Sequence, residues 1–264
     1  MTRVDRVELS YNLVFTTPFH FGTGLRVGLI DRTVVRDSGG YLYVPGSTIK
    51  GVLREECERL SRLYEVLDEE MYEFIASPHD TETAMRARQS APTMITRIFG
   101  SQNFPGRLFF DNAHQTREEI AQYDSREGNR LIKGKYNAAQ TDLSTQVRLD
   151  RPTHTAARGA LYTSEFGIKN LIFEGAVTGW LECTPIDGIE QGPTYSLLLL
   201  LAGMHLLTQI GGNKSTGKGQ CRCEITALTC GKETYTKEVW QSWFDHLDAL
   251  SFYSSHAVSE GEQA

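Results

Sequence analysis

The chain has 264 residues, of which 40% are hydrophobic and 23% are charged. That is enough apolar sequence for a buried core, and it excludes a globally disordered protein. The net charge of −6 argues against a generally basic nucleic-acid-binding protein. The charge is unevenly distributed, because residues 55–82 hold ten acids and two bases (−8), whereas the other 236 residues hold 25 bases and 23 acids (+2). A local basic groove therefore remains compatible with the acidic total.

The first third of the sequence predicts two strand regions and a long helix. Val7–Phe15 alternates apolar and polar residues, which is typical of a half-buried strand. Residues 33–35 and 41–44, separated by Asp37-Ser38-Gly39-Gly40, predict a hairpin. A helix is expected from Ser47, as N-cap, to about Ile75.

The rest of the sequence predicts a β-rich pattern with helices inserted between strands. Residues 107–110, 160–166, 171–183 and 220–228 are expected to be strands, and residues 112–145 a long irregular protrusion. The apolar run 196–210 predicts a buried helix, and residues 235–250 an amphipathic one. This order favours an α+β fold in a single domain.

Several common functional classes lack their sequence signals. The segment Gly212–Lys218 matches G-x-x-x-x-G-K, but Gly219 stands where a P-loop needs Ser or Thr, and the segment follows a helix instead of a strand. The five cysteines form no C-x-x-C pair, so a structural zinc site is not expected. The chain opens directly on a strand pattern, and its longest apolar run is 11 residues, so we expect a cytoplasmic protein without a membrane partner.

Five sequence blocks in a fixed order resemble the repeat-associated mysterious protein (RAMP) superfamily. More closely, they are similar to the backbone subunits of type III CRISPR effector complexes. The blocks are His20–Gly24 with Leu29–Asp37, Tyr43–Arg54, Phe99–Ala113, Asp150–Tyr162 and the glycine-rich segment 211–219. The resemblance implies a modified ferredoxin-like, RRM-like core, with a helical lid insertion at about 55–100 and a protrusion, including a thumb, at about 112–158.

The resemblance also implies a function and its partners. Subunits of this kind stack along a CRISPR guide RNA with copies of themselves and with other type III subunits, and they cleave complementary target RNA with a divalent metal ion, expected to be Mg²⁺. Asp31 matches the position of the catalytic aspartate, in the context Ile30-Asp31-x-x-Val34. It is therefore the candidate catalytic residue and metal ligand, although a carboxylate that caps a turn is the alternative interpretation.

RNA contacts are expected at four places in the sequence. They are His20, the helix start with Gly46, Ser47, Lys50 and Arg54, the thumb residues Arg151 and Thr153, and the glycine-rich loop with Gly212, Asn213, Lys214, Ser215 and Lys218. Lysines, bare glycine amides and a helix N-terminus suit phosphate groups, and a histidine can stack on a base. A solvated helix face, a surface loop, a helix C-cap and a buried histidine are the structural alternatives.

Two alternative functions stay open on the sequence alone. The chain could be a guide-binding scaffold subunit in which Asp31 only shapes its loop. It could also be a guide-processing endoribonuclease of the same superfamily, for which His20 would be the catalytic histidine.

Overall fold

The computed structural model describes residues 3–64, 93–101, 104–121, 140–186, 189 and 192–253. The strands are β1 (Arg3–Phe15), β2 (Tyr43–Val44), β3 (Leu108–Phe110), β4 (Ala113–Gln115), β5 (Thr141–Asp150), β6 (Thr155–Gly167), β7 (Ile172–Cys183), β8 (Cys221–Cys230) and β9 (Glu233–Tyr235). The helices are α1 (Gly46–Tyr64), α2 (Met94–Phe99), α3 (Tyr195–His205) and α4 (Lys237–Ser242), followed by a 3₁₀ segment, Trp243–Phe252.

The main sheet is antiparallel and has β1 at its centre. Its strand order is β2-β4-β7-β1-β8-β9, with β3 pairing on β7 beside β4. From Val7 to Phe15, the odd-numbered residues of β1 are buried and the even-numbered ones are at least partly exposed. One face of the sheet therefore carries the core, as the period of two predicts.

The helices pack on that apolar face. α3 contacts α1, α2, β7 and β8, and all but its last residue are buried. An apolar sequence of this length, without a polar side, is stable only when it is surrounded by other elements. Thr194 begins the helix by accepting a hydrogen bond from the Leu197 amide at 3.4 Å.

Strands β5 and β6 form a separate two-stranded hairpin. Four large apolar side chains on it are well exposed, namely Leu143, Val147, Leu149 and Leu161. The hairpin joins the rest of the molecule where β6 ends, because the amide of Phe19 bonds to Gly167 O at 3.1 Å and the amide of Gly167 bonds to Phe19 O at 2.8 Å.

The buried helix and the strands predicted at 7–15, 107–110, 160–166, 171–183 and 220–228 are confirmed, and the overall class is α+β. Two predictions are wrong. Residues 112–145 are not irregular throughout, since β4 lies in the main sheet and β5 begins at Thr141. Ser47 is not the N-cap, since the helix already includes Gly46, and Pro45 O accepts the amides of Thr48 and Ile49.

Two further predictions are met only in part. The hairpin turn at 37–41 forms, but within residues 33–35 only Val34 makes an isolated bridge, with Gly22, instead of a strand. The C-terminal helix is interrupted, because His246 has non-helical dihedral angles. The part of the predicted lid and long helix between residues 65 and 92, with most of the acidic stretch, lies outside the described residues. No helix among the described residues is long and apolar enough to cross a membrane.

Gly203 allows α3 to approach α1 closely, which gives a stability prediction. A Cβ atom at Gly203 would overlap the buried Sγ of Cys57 and lie 3.2 Å from Leu53 Cδ1. We expect Gly203→Val to lower the free energy of unfolding by about 1–3 kcal/mol in urea titrations, because it overpacks this contact.

Two further variants test the steric explanation. Cys57→Ala removes the overlapping sulfur and should restore part of the loss in the double variant. Gly51→Ala on α1, where nothing lies within 4 Å of the added Cβ, should instead stabilise the protein by up to about 1 kcal/mol. If the changes in unfolding free energy caused by Gly203→Val and Cys57→Ala were simply additive in the double variant, the steric explanation would be contradicted.

Candidate functional site

A cavity of about 490 Å³ brings together four of the predicted site residues from three parts of the chain. Its lining consists of His20, Gly22, Gly24, Leu25, Asp31, Arg32, Thr33, Gly212 and Asn213. The glycines leave the backbone accessible, so an extended polar chain could approach closely. The structure therefore places the N-terminal loop and the glycine-rich loop on one concave surface.

The loop that carries Asp31 is held by the edge of β6 that is not paired with β5. The amide of Asp31 donates to Thr163 O at 2.9 Å, and the amide of Glu165 donates to Arg32 O at 2.9 Å. The second of these bonds, together with the bond from the amide of Arg32 to Thr163 O at 3.3 Å, makes Arg32 and Ser164 a parallel bridge. The loop is thus an irregular extra strand on β6, which fixes the backbone of Asp31 relative to the hairpin.

Both carboxylate oxygens of Asp31 accept hydrogen bonds. The amide of Thr163 donates to Oδ2 at 2.8 Å, and the guanidinium of Arg26 contacts Oδ1. The pKa of Asp31 is lowered, chiefly by the hydrogen bond from the Thr163 amide and then by Arg26. Asp31 is therefore an ionised carboxylate that faces the cavity.

His20 is oriented by a hydrogen bond to the backbone of β6. Its Nδ1 lies 2.8 Å from Glu165 O, and its ring centroid lies 5.6 Å from that of Phe166. The ammonium of Lys218 sits over the other ring of this pair, 5.2 Å from the centroid of Phe166. Lys218, a predicted RNA-binding residue of the glycine-rich loop, thus contacts the same phenylalanine ring as His20.

The glycine-rich loop is held in shape by Gln209, which the sequence analysis did not identify. Its Nε2 donates to Lys214 O at 2.9 Å and to Lys218 O at 2.8 Å. Asn213 adopts a left-handed conformation, and a short 3₁₀ turn, Lys214–Thr216, follows it. The loop is therefore a folded element in which Ser215 is exposed, and the ammonium of Lys214 lies 4.0 Å from Glu55 Oε2 on α1.

The predicted residues at the start of α1 are partly engaged within the protein. Gly46 is buried, its amide donates to Asn112 Oδ1 at 2.9 Å, and Ser47 is exposed beside it. The ammonium of Lys50 lies 5.9 Å from the ring centroid of Phe110, and burial, followed by Arg54, lowers its pKa. RNA binding at these positions stays a prediction.

Arg54 makes two contacts inside the protein. Its Nε lies 2.7 Å from Glu58 Oε1, and its Nη1 donates to Gly100 O at 3.2 Å. These contacts tie α1 to the end of α2, so Arg54 has a structural role whether or not it binds RNA.

Arg151 and Thr153 lie in the turn that joins β5 to β6, outside the cavity. Arg151 is exposed, and Thr153 Oγ1 donates to Asp150 Oδ2 at 2.6 Å. This turn is the tip of the predicted thumb. Its RNA-binding role also stays a prediction.

A larger cavity, about 970 Å³, lies elsewhere in the main sheet and contains none of the predicted site residues. Its lining includes Asp111, His114 and Glu174, together with small polar residues of β1 and β8. We regard the smaller cavity as the candidate site, because Asp31, His20 and the glycine-rich loop meet there.

A buried ion pair beneath the cavity was also missed by the sequence analysis. Arg36 Nη2 lies 2.5 Å from Glu165 Oε1, and the carboxylate is only 9% exposed. The other oxygen of Glu165 accepts the amide of Val34 at 3.0 Å. Glu165 therefore contacts the N-terminal loop through its side chain as well as through its backbone. The sequence did contain one indication of this pair, because Glu165 lies between Ser164 and Phe166 in a predicted strand. A buried acid in such a position needs a charged or hydrogen-bonding partner.

The protein residues at Asp31 do not by themselves form a complete metal site. No group of three or more His, Cys, Asp or Glu side chains is close enough to hold a metal ion within the described ranges. Mg²⁺ often takes only one or two carboxylates and completes its shell with substrate phosphates and water. Asp31 fits a magnesium ion only in that form.

The lowered pKa of Asp31 can be measured directly. We expect the ¹³C chemical shift of its carboxyl group to titrate below the ordinary range for aspartate. Arg26→Gln should move the pKa only part of the way back, because the larger cause, the Thr163 amide, remains.

The sign of the pH effect follows from that shift. Because the pKa of Asp31 is lowered in the folded state, its contacts contribute stability that is fully present above the pKa of the unfolded chain. This stability is lost as the pH falls through the pKa of the folded state. A complete return to the ordinary pKa in Arg26→Gln would show that the guanidinium, and not the amide, dominates.

Comparisons with known proteins show the family of the chain. Residues 12–222 match the family model of the RAMP superfamily. The chain is also 24% identical over 246 residues to a Methanocaldococcus jannaschii protein named "CRISPR system Cms endoribonuclease Csm3", with 89% of this chain and 85% of that protein covered. The family match runs from the end of β1 to the start of β8, and it includes every residue that lines the cavity. The chain therefore belongs to the RAMP superfamily.

Proposed function

We propose that this protein is a backbone subunit of a type III CRISPR effector complex that binds guide RNA and cleaves complementary target RNA. The observation that carries the proposal is the cavity in which Asp31, His20 and the glycine-rich loop meet. Membership of the RAMP superfamily and the similarity to a protein named Csm3 support it. The partners would be guide RNA, target RNA, further copies of this chain and other subunits of the complex.

The main sheet supports a ferredoxin-like, RRM-like core. A βαββαβ order is formed by β1, α1, β3, β7, α3 and β8. It is interrupted by β2, α2, β4 and the β5–β6 hairpin. The four strands lie in the order β3-β7-β1-β8, with antiparallel neighbours. We therefore assign the hairpin to the thumb inserted in this core.

The proposed guide contacts are independent of base sequence. Lys214 and Lys218 supply charge at the glycine-rich loop and can bind phosphate oxygens, whereas the amide of Gly212 already donates to His20 O at 2.9 Å. A protein that handles many guides needs such contacts, because base pairing between guide and target supplies the sequence specificity.

Asp31 is the proposed catalytic carboxylate for target cleavage. Its fixed position can orient the 2′-hydroxyl of the target for attack on the adjacent phosphate. A magnesium ion held by Asp31 and by phosphate oxygens would add electrostatic stabilisation of the charged phosphate.

A scaffold function is the second candidate, and one observation favours it. Both oxygens of Asp31 already accept hydrogen bonds from Arg26 and Thr163, as expected for a carboxylate that only shapes its loop. Guide processing with His20 is the third candidate, because His20 lines the same cavity.

The Asp31→Ala variant separates these candidates in the assembled complex. With magnesium and complementary RNA, we expect cleavage to fall by about 100-fold or more while target affinity is unchanged. Asp37→Ala is the matched control, because Asp37 Oδ1 accepts the amides of Gly39 and Tyr41 in a nearby turn and lies outside the cavity. Wild-type cleavage by Asp31→Ala would exclude the catalytic proposal and leave the scaffold.

A salt titration tests the glycine-rich loop. We expect Lys214→Ala/Lys218→Ala to weaken guide binding and to reduce the slope of log affinity against log salt by about 1.4, or about 0.7 for each charge lost on a single strand. Lys232→Ala/Lys237→Ala removes the same charge beyond the far end of β8 and should leave the slope unchanged. Equal effects of the two double variants would argue against a local phosphate site.

A further inference from the structure

We infer that Arg26 binds the scissile phosphate of the target and holds it beside Asp31 during cleavage. The inference rests on the proposed function, since it adds a further residue of this chain to the same reaction. It starts from the turn that places Arg26 and Asp31 side by side.

A two-residue hairpin fixes the position of Arg26. Val27 and Ile30 exchange two backbone hydrogen bonds of 3.0 Å, and Gly28, with a φ of 59°, takes the first position of the turn between them. Arg26 and Asp31 form the next pair outward, a pair without mutual backbone hydrogen bonds, in which opposite side chains lie closest. Accordingly, the guanidinium of Arg26 contacts Asp31 Oδ1.

Most of the guanidinium is available to an anion. The side chain of Arg26 is 72% exposed, and only its Nη2 contacts Asp31. Within the described part of the chain, its Nε and Nη1 have no hydrogen-bond partner. A phosphate group accepts two parallel N–H bonds from such a planar fork. Arg32, the other arginine beside Asp31, is directed instead at Tyr162, whose ring centroid lies 5.1 Å from its Cζ.

Electrostatics give this position a reason that loop stability does not. An ion pair as exposed as this one contributes little to stability, and the Thr163 amide already holds the other oxygen of Asp31 at 2.8 Å. An ionised carboxylate and a phosphodiester repel each other, so Asp31 alone would push the scissile phosphate away. A guanidinium that contacts both anions removes this repulsion and fixes the distance between them.

The guanidinium acts on charge and transfers no proton. In the proposed cleavage the 2′-hydroxyl gives its proton to water as the 2′-oxygen forms a bond to phosphorus. The bond from phosphorus to the 5′-oxygen breaks, and that oxygen takes a proton from water. Negative charge grows on the non-bridging oxygens during this step, and Arg26, which stays protonated, stabilises it.

The experiment removes the charge on either side of the proposed contact. Assembled complexes bind a target whose cleavage position carries a 2′-deoxy sugar, which prevents cutting, followed by either a phosphodiester or a neutral methylphosphonate linkage. We expect the methylphosphonate to weaken binding to the wild-type complex about tenfold, because a charge-assisted contact is lost. The Arg26→Gln complex should bind the methylphosphonate target at least as tightly as the phosphodiester target.

A matched control and a rate measurement accompany the binding assay. Arg6→Gln removes a similarly exposed arginine, paired with Glu8 near the other end of β1, and should behave as the wild type does. In single-turnover cleavage of the ordinary target, we expect Arg26→Gln to be about 100-fold slower. Arg26→Lys should recover only part of the rate, because an ammonium group lacks the planar fork.

Two results would overturn the inference. One is a methylphosphonate effect of equal size in the wild-type and Arg26→Gln complexes, because Arg26 would then only hold Asp31 in place, even if cleavage slowed. The other is wild-type cleavage by Arg26→Gln. Asp31→Ala is measured alongside: if it cleaves normally, the proposed function fails, whereas a normal rate for Arg26→Gln with an inactive Asp31→Ala removes only this inference.

Discussion

The backbone of β6 between Thr163 and Glu165 is the contact on which the candidate site depends. Thr163 bonds to Asp31 through its amide and its carbonyl, and Glu165 bonds to Arg32 through its amide and to His20 through its carbonyl. β6 contributes only backbone groups, so its side of each contact is set by the register of the strand. The contacts of Asp31 Oδ2 and His20 Nδ1 depend in addition on the rotamers of those two side chains. Asp31 and His20 therefore share one rigid support although 10 residues separate them in sequence.

Aromatic packing provides the foundation for that support. Phe19 lies next to His20, and its ring contacts those of Phe15 and Phe173 at centroid distances of 4.2 and 5.6 Å. Phe15 ends the central strand and Phe173 lies on β7, so the segment before His20 is anchored directly in the core. Edge-to-face and tilted aromatic contacts of this kind have preferred geometries, which limits movement of the loop relative to the sheet.

The sequence predicts the elements of this fold better than their meeting points. The alternation in β1 and the apolar run of α3 are strong local signals, and both are confirmed. β5 was not predicted, because residues 112–145 were assigned to an irregular protrusion and none of the residues of β5 is buried. Asp31 was found by family resemblance, and local patterns do not identify its partner Thr163, which is 132 residues away. The Arg36–Glu165 pair was missed because no short-range spacing marks a contact between residues 129 apart.

The two edges of β6 connect the hairpin to the cavity. One edge pairs with β5, with Thr145 opposite Thr163 and Leu143 opposite Glu165, while the other holds the Asp31 loop. The buried Arg36–Glu165 pair resists separation of that loop from β6, since a charge left alone in this place would cost about 3–5 kcal/mol. A slip of β6 by one residue would turn every side chain of the strand to the opposite face, so the register of β6 fixes the positions of Asp31 and His20 relative to the hairpin.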